Sequence, residues 1–316
     1  MDRGDYKPPS KDPFDLLSAA LFGGISGFPM PVPSIELAVG LRLRSTYAHL
    51  IMPLILAFAP PPKPGAPHGG PWAALNEHGL TIHIEVQLDA GARPFGFDRP
   101  NTLWFVTAML RLRLALPLQL PVISDRPLET VTAHLDRVNL VPVELNIRQF
   151  LTAESRKPTE ADFYWLRDNI DRADILMNDP AFRRALQTFD GTANVSHSGA
   201  SIVIAWASLE TLLRPGQHKI TERICRALAA YLEPPGRTRD RAFTRIAACY
   251  EARGGAAHAG TPPEKEQLQT AFRLARATLM KSIEIGSPPD VEQLLGRGAT
   301  RYERHGAHTA FSTPMT

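Results

Sequence analysis

The chain has 316 residues, with 35 Lys and Arg against 32 Asp and Glu, a formal net charge of +3, 44% hydrophobic residues and 21% charged residues. That balance excludes a disordered or collagen-like chain, and the length suits two domains. So small a net charge neither demands nor forbids a polyanionic partner. Its two cysteines, Cys225 and Cys249, are too few for a disulfide framework and fit a reducing cytosol.

Residues 1–30 read as a flexible N-terminal segment. Met1–Asp15 carries acids and prolines with no apolar run before a cleavage site, so no signal peptide is expected. Gly23-Gly24 lacks a strand–turn–helix context and reads as a turn. Residues 31–155 read as a β-rich domain. Leu37, Val39, Leu41 and Leu43 alternate with polar or small residues, as do Leu80, Ile82, Ile84, Val86 and Leu88. Leu110, Leu112, Leu114, Leu116, Leu118 and Leu120 make a third such series. A period of two places one face on a core and one in water. Further short strands are expected near Trp104–Val106, Val131–Leu135 and Val143–Ile147. Leu50–Ala59 is half as long as a membrane span and is broken by Pro53, so it reads as a buried strand. The segment Pro60–Pro71, PPPKPGAPHGGP, reads as an exposed loop. The expected module is sandwich- or barrel-like. The protein is expected to be soluble and cytoplasmic, with no membrane partner.

Across residues 152–159 the period changes to helical, and residues 156–285 read as an all-α bundle. The fold class is therefore α+β. Phe163, Leu166, Ile170 and Ala173 mark one helix, and Phe182, Leu186 and Phe189 the next. Ser198–Leu213 is apolar nearly all round and should be a central helix. Ile220–Tyr231, Phe243–Tyr250 and Leu268–Leu279 give three more. The composition of 286–316 reads as a loose tail.

The most informative stretch is Tyr250–Gly260, YEARGGAAHAG, at the end of a helix. Two glycines there cost about 1 kcal/mol each relative to alanine, so a bend or a close backbone approach should justify them. Arg253 and His258 are five residues apart, about 140° on a straight helix. A histidine that moves protons near neutral pH and an arginine that binds phosphoryl oxygens make a minimal ribonuclease kit. The same pair also fits a surface arginine and a helix-terminal histidine. Basic residues outnumber acids by nine to four between Arg214 and His258. Such a patch suits a polyanion, with Arg223, Arg226 and Arg245 as candidate RNA contacts, or a solvated helix face. Cys225 and Cys249 read as small buried hydrophobes. His49, His68, His78, His83 and His134 show no metal-ligand spacing, and neither a phosphate-binding P-loop nor a G-x-S-x-G elbow is present.

From Ser201 to Gly260 the sequence resembles the Apea-like group of the HEPN superfamily. The resemblance rests on an ordered set: an apolar helix ending Ser208-Leu209-Glu210-Thr211-Leu212-Leu213, a helix opening at His218–Ile224, a loop with Pro234 and Gly236, and Arg253-x4-His258. The resemblance implies a helical bundle that dimerises and a metal-independent RNA endonuclease of a toxin–antitoxin or anti-phage system. It implies that Arg253 contacts the scissile phosphate, that His258 is the acid/base residue, and that Glu210 orients Arg253. It implies no cofactor and no metal. RNA and a second copy are the expected partners, with a protein trigger or antitoxin as a further one, and the N-terminal domain senses or regulates. Gly254, Gly255, Ala256 and Ala257 are smaller or less polar than family members carry between the two motif residues. The alternative is a non-catalytic HEPN module that dimerises or binds RNA.

Overall fold

The computed structural model describes residues 19–50, 54–59, 63–64, 69–75, 80–133, 138–144, 148, 151, 157–216 and 218–302. The architecture is α+β, with an antiparallel sheet in the N-terminal half and helices in the C-terminal half. The chain divides into two compact units, one of Met1–Arg148 with Arg156–Ile170 and one of Gln149–Ser155 with Asp171–Thr316.

In the first unit, β1 (Leu21–Ser26), β2 (Ser34–Ala38), β3 (Leu41–Leu50), β6 (Leu80–Leu88), β7 (Gln119–Ser124) and β8 (Leu140–Pro142) form one sheet in the order β2-β3-β6-β1-β7-β8. Each neighbouring pair in it is antiparallel. β4 (Leu54–Ala59) and β5 (Gly69–Leu75) form a separate two-stranded ladder. The strand expected in Leu50–Ala59 is therefore present from Leu54. Of the expected Pro60–Pro71 loop, Lys63 and Pro64 form an exposed turn and Gly69–Pro71 belong to β5; residues 60–62 and 65–68 lie outside the described residues.

The third leucine series is not one strand. Leu110, Leu112 and Leu114 lie on helix α1 (Arg99–Leu114), which also holds Trp104–Val106, and Leu120 lies on β7. Met109, just before those leucines, and Arg111, between them, are buried as well, so burial on α1 does not alternate. A helix buried on most sides accepts apolar residues at any spacing, which removes the meaning of a period-two count. Asp98 caps α1 by accepting from the Asn101 amide at 2.8 Å. Val131 lies in a 3₁₀ turn, Leu128–Ala133, rather than a strand, and β8 ends just before Val143.

Part of the segment expected to be flexible is instead an inner strand. All six residues of β1 are buried, between β6 and β7. Successive residues point to opposite faces. A Cβ added at Gly23 would lie 3.0 Å from Leu120 and 3.3 Å from Leu103 of α1, and one at Gly24 would lie 2.7 Å from Leu128. The two glycines let β1 be covered on both faces, so they are strand residues and not a turn. Glu85 on β6 is a fully buried carboxylate. Arg44 meets it at 2.7 Å and the Leu128 amide donates to it at 2.6 Å.

In the second unit the expected helices are present: α3 (Pro180–Gly191), α4 (Ser198–Leu213), α5 (Ile220–Leu232), α6 (Arg237–Gly254) and α7 (Lys265–Ile285). α2 (Glu160–Leu176) spans the division at Ile170, so the change of period at 152–159 and the compact units do not share a boundary. α8 (Val291–Tyr302) occupies part of the segment expected to be a loose tail. α4 is the inner helix: Ile202, Ala205, Trp206 and Leu209 are buried, and its Ser208 hydroxyl donates to the Ala185 carbonyl at 2.7 Å. Phe189 of α3 stacks on Phe272 of α7 at 4.8 Å, and Tyr231 of α5 meets Ser282 of α7 at 3.3 Å. Among the described residues, no helix is long and apolar enough to cross a membrane.

Candidate active site

The last turns of α4 and α6 bring Glu210 and Arg253 together. The Arg253 guanidinium lies 3.1 Å from Glu210 Oε1 and donates to Oε2 at 3.3 Å. Both side chains are about a quarter exposed, so the pair is neither sealed nor freely hydrated. Arg253 Nε is buried and has no hydrogen-bond partner among the described residues. An arginine offers five donors, and Glu210 takes only part of that capacity.

Tyr250, which the sequence places on the motif helix without giving it a role, organises this pair. Its hydroxyl donates to Glu210 Oε1 at 2.9 Å, and the Arg253 guanidinium lies over its ring, 5.5 Å from the centroid. Trp206, fully buried on α4, meets the Tyr250 ring edge to face at 4.8 Å. Burial, then the Glu210 hydrogen bond and charge, push the Tyr250 phenol above its ordinary value; Arg253 and a hydrogen bond with Thr221 oppose this. The signal available in the sequence was position. Tyr250 precedes Arg253 by three residues, so the two are neighbours on one helix face.

Beyond Gly254 the α-helix widens into a π turn, Gly255–Ala259, which carries His258. Gly260, at φ 65°, closes it by donating to the Gly255 carbonyl five residues back. This is the bend that the glycine content anticipates. Widening to an i→i+5 register turns Arg253 and His258 closer to one face than the roughly 140° of a regular α-helix. His258 is exposed, and its ring has no hydrogen-bond partner among the described residues. A Cβ on Gly254 would meet nothing within 4 Å, and one on Gly255 only Thr261 at 3.8 Å. Neither glycine is needed for crowding within the described chain. The close contact belongs to Ala256, whose methyl would lie 3.7 Å from a Cβ at Gly199 of α4.

The three arginines expected at RNA have different surroundings. Arg223 donates to the Pro215 carbonyl at 2.7 Å and pairs with Glu292. Arg226 pairs with Glu222 at 2.9 Å and lies over the Phe243 ring. Arg245 is exposed on α6. Cys225 and Cys249 are free and buried; burial pushes their thiols up to about 12 and about 11. Among the described residues, no group of three His, Cys, Asp or Glu side chains is arranged to hold a metal ion. His68, His78 and His134 lie outside them.

Comparison with protein-family models, with curated proteins and with solved structures finds no match to this chain.

Proposed function

We propose that the helical unit is a HEPN-type, metal-independent RNA endonuclease that works as a homodimer, and that the β-rich unit senses or regulates. The observation that carries this reading is the Glu210–Arg253 pair, fastened by Tyr250, with His258 exposed on the widened turn that follows. Glu210 and Tyr250 hold the guanidinium from behind and leave it donors for a phosphate. In the reaction, the ribose 2′-oxygen bonds to the neighbouring phosphorus and the bond to the 5′-oxygen breaks. His258 takes the proton from the 2′-hydroxyl and delivers it to the departing 5′-oxygen, and Arg253 stabilises the charge on the crowded phosphoryl oxygens. The nucleophile belongs to the substrate, so the chemistry requires no metal-bound water.

The second reading is a HEPN module that binds RNA or dimerises without turnover. It is favoured by the His258 ring, which no described residue holds by a hydrogen bond. One experiment separates the two. Purified full-length protein is incubated with total RNA in EDTA, wild type beside His258→Ala. The ribonuclease reading expects cleavage that falls by about 10²-fold or more in the variant, the range for a lost acid/base group. Equal cleavage by both proteins, or none by either, leaves the scaffold.

A further inference from the structure

The arginines around α5 and α6 divide by whether the chain itself uses them. Arg214 pairs with Asp179, Arg223 with Glu292, Arg226 with Glu222 and Arg253 with Glu210. Arg239 donates to the Glu233 carbonyl at 3.1 and 3.0 Å. Arg237, Arg241 and Arg245 are different. All three are exposed, and none of their side chains has a hydrogen bond, ion pair or ring contact among the described residues. Asp240 and Glu251, the exposed acids of the same helix, form no ion pair with them.

Those three positions are four residues apart, and the next two steps of the same row are Cys249 and Arg253. Side chains at i, i+4 and i+8 form one continuous ridge, which winds slowly round the helix as it climbs. Each step rises about 6 Å and turns about 40°. The row therefore starts on the open side of α6 and turns into the core at buried Cys249, so its exposed stretch is Arg237, Arg241 and Arg245.

We propose that Arg237, Arg241 and Arg245 form a track for the phosphates of a single RNA strand along the open side of α6, an assignment that rests on reading the helical unit as RNA-acting. The argument is charge complementarity without internal competition. A cation already paired within the chain gives up that pair on meeting a phosphate, whereas these three lose only water and counterions. A ridge one side chain wide matches one backbone rather than the two of a duplex. Guanidiniums about 6 Å apart along the axis can be followed by the phosphates of an extended strand. A track of this kind supplies affinity and register, while sequence preference comes from elsewhere.

The test measures binding apart from cleavage. Full-length His258→Ala protein is titrated with a fluorescent single-stranded RNA by anisotropy over a salt series. The same protein carrying Arg237→Gln, Arg241→Gln and Arg245→Gln is compared with one carrying Arg226→Gln. Each lost contact to a single strand removes about 0.7 from the slope of log affinity against log salt, so the triple variant should lose about 2. Its affinity should fall at least tenfold at low salt, while Arg226→Gln changes the slope by less than about 0.3, well under the roughly 0.7 of one full contact. An unchanged slope in the triple variant overturns the track. So does equal loss of binding to acidic lipid vesicles or to duplex RNA, which makes the row a general polyanion patch. If wild-type protein cuts no RNA yet the slope falls by about 2, the track stands and the ribonuclease reading alone fails.

Discussion

Replacing Tyr250 by phenylalanine removes one oxygen from the candidate site and little else. The ring keeps its edge contact with Trp206 at 4.8 Å and its position beneath the Arg253 guanidinium. What disappears is the 2.9 Å hydrogen bond to Glu210 and the hydroxyl's interaction with Thr221. A hydrogen bond to a charged group contributes about 1.5–3 kcal/mol. Glu210 keeps Arg253 as a partner and is 26% exposed, so water replaces part of the loss. The expected cost is the lower end, about 1.5 kcal/mol. A double-mutant cycle with Glu210→Ala removes the Thr221 contribution, because that is lost in both Tyr250 variants. Urea unfolding followed by far-ultraviolet circular dichroism should give a coupling of about 1 kcal/mol between the two positions. A loosened guanidinium should also lower kcat/KM on RNA by about tenfold, the equivalent of about 1.4 kcal/mol. Coupling below about 0.3 kcal/mol, within the scatter of independent sites, would refute the claim that Tyr250 organises the pair.

Four other outcomes follow from the structure. Burial, against the Leu128 amide and Arg44, leaves Glu85 above the ordinary glutamate value. The folded state then holds the proton to higher pH than the unfolded one, so stability should fall as pH rises from the ordinary to the raised value, and Glu85→Gln should flatten that slope in a pH series of urea melts. Arg44→Met strands the buried carboxylate and should cost about 3–5 kcal/mol at neutral pH, less in acid, whereas adding Glu85→Leu should recover most of it. Cys225 and Cys249, buried and raised to about 12 and about 11, should resist alkylation at neutral pH in the folded protein and react once it is unfolded, as mass spectrometry would show. Light scattering at micromolar concentration should give a mass near twice 34.8 kDa, with Gly254→Leu weakening association through the space left open beside that glycine; a monomer throughout would remove the dimer from the proposal.

The helical half was legible because its helices are amphipathic or have clear boundaries. Asp179-Pro180 and Gly286 mark ends at which capping is visible in the residues themselves. The sheet was legible where one face meets water, as on β3 and β6, and illegible where both faces are covered. β1 carries Gly23 and Gly24 because Leu103 and Leu128 press on its two sides, and that pressure comes from residues about 80 and 100 positions later. α1 misled for the related reason that its buried sides leave no polar stripe. At the site, the Arg253–Glu210 contact was expected from the resemblance, and a bend was expected from the glycines. The π register was not, since it depends on how the turn closes at Gly260. Tyr250 was placed on its helix but given no role, because a tyrosine on an amphipathic helix is first read as core and its partner Glu210 lies 40 residues away.

The most direct measurement uses one defined oligonucleotide: a DNA strand with a single ribonucleotide, incubated with the full-length protein in EDTA and resolved by mass. The ribonuclease proposal predicts a cut on the 3′ side of that ribose only, a 2′,3′-cyclic phosphate on the product, and loss of both with His258→Ala or with a 2′-O-methyl group at that ribose. Arg253→Lys should impair the cut as well, because an ammonium cannot reproduce the planar fork. Cutting elsewhere in the DNA, cutting only when magnesium is restored, or an undiminished cut by His258→Ala would contradict it.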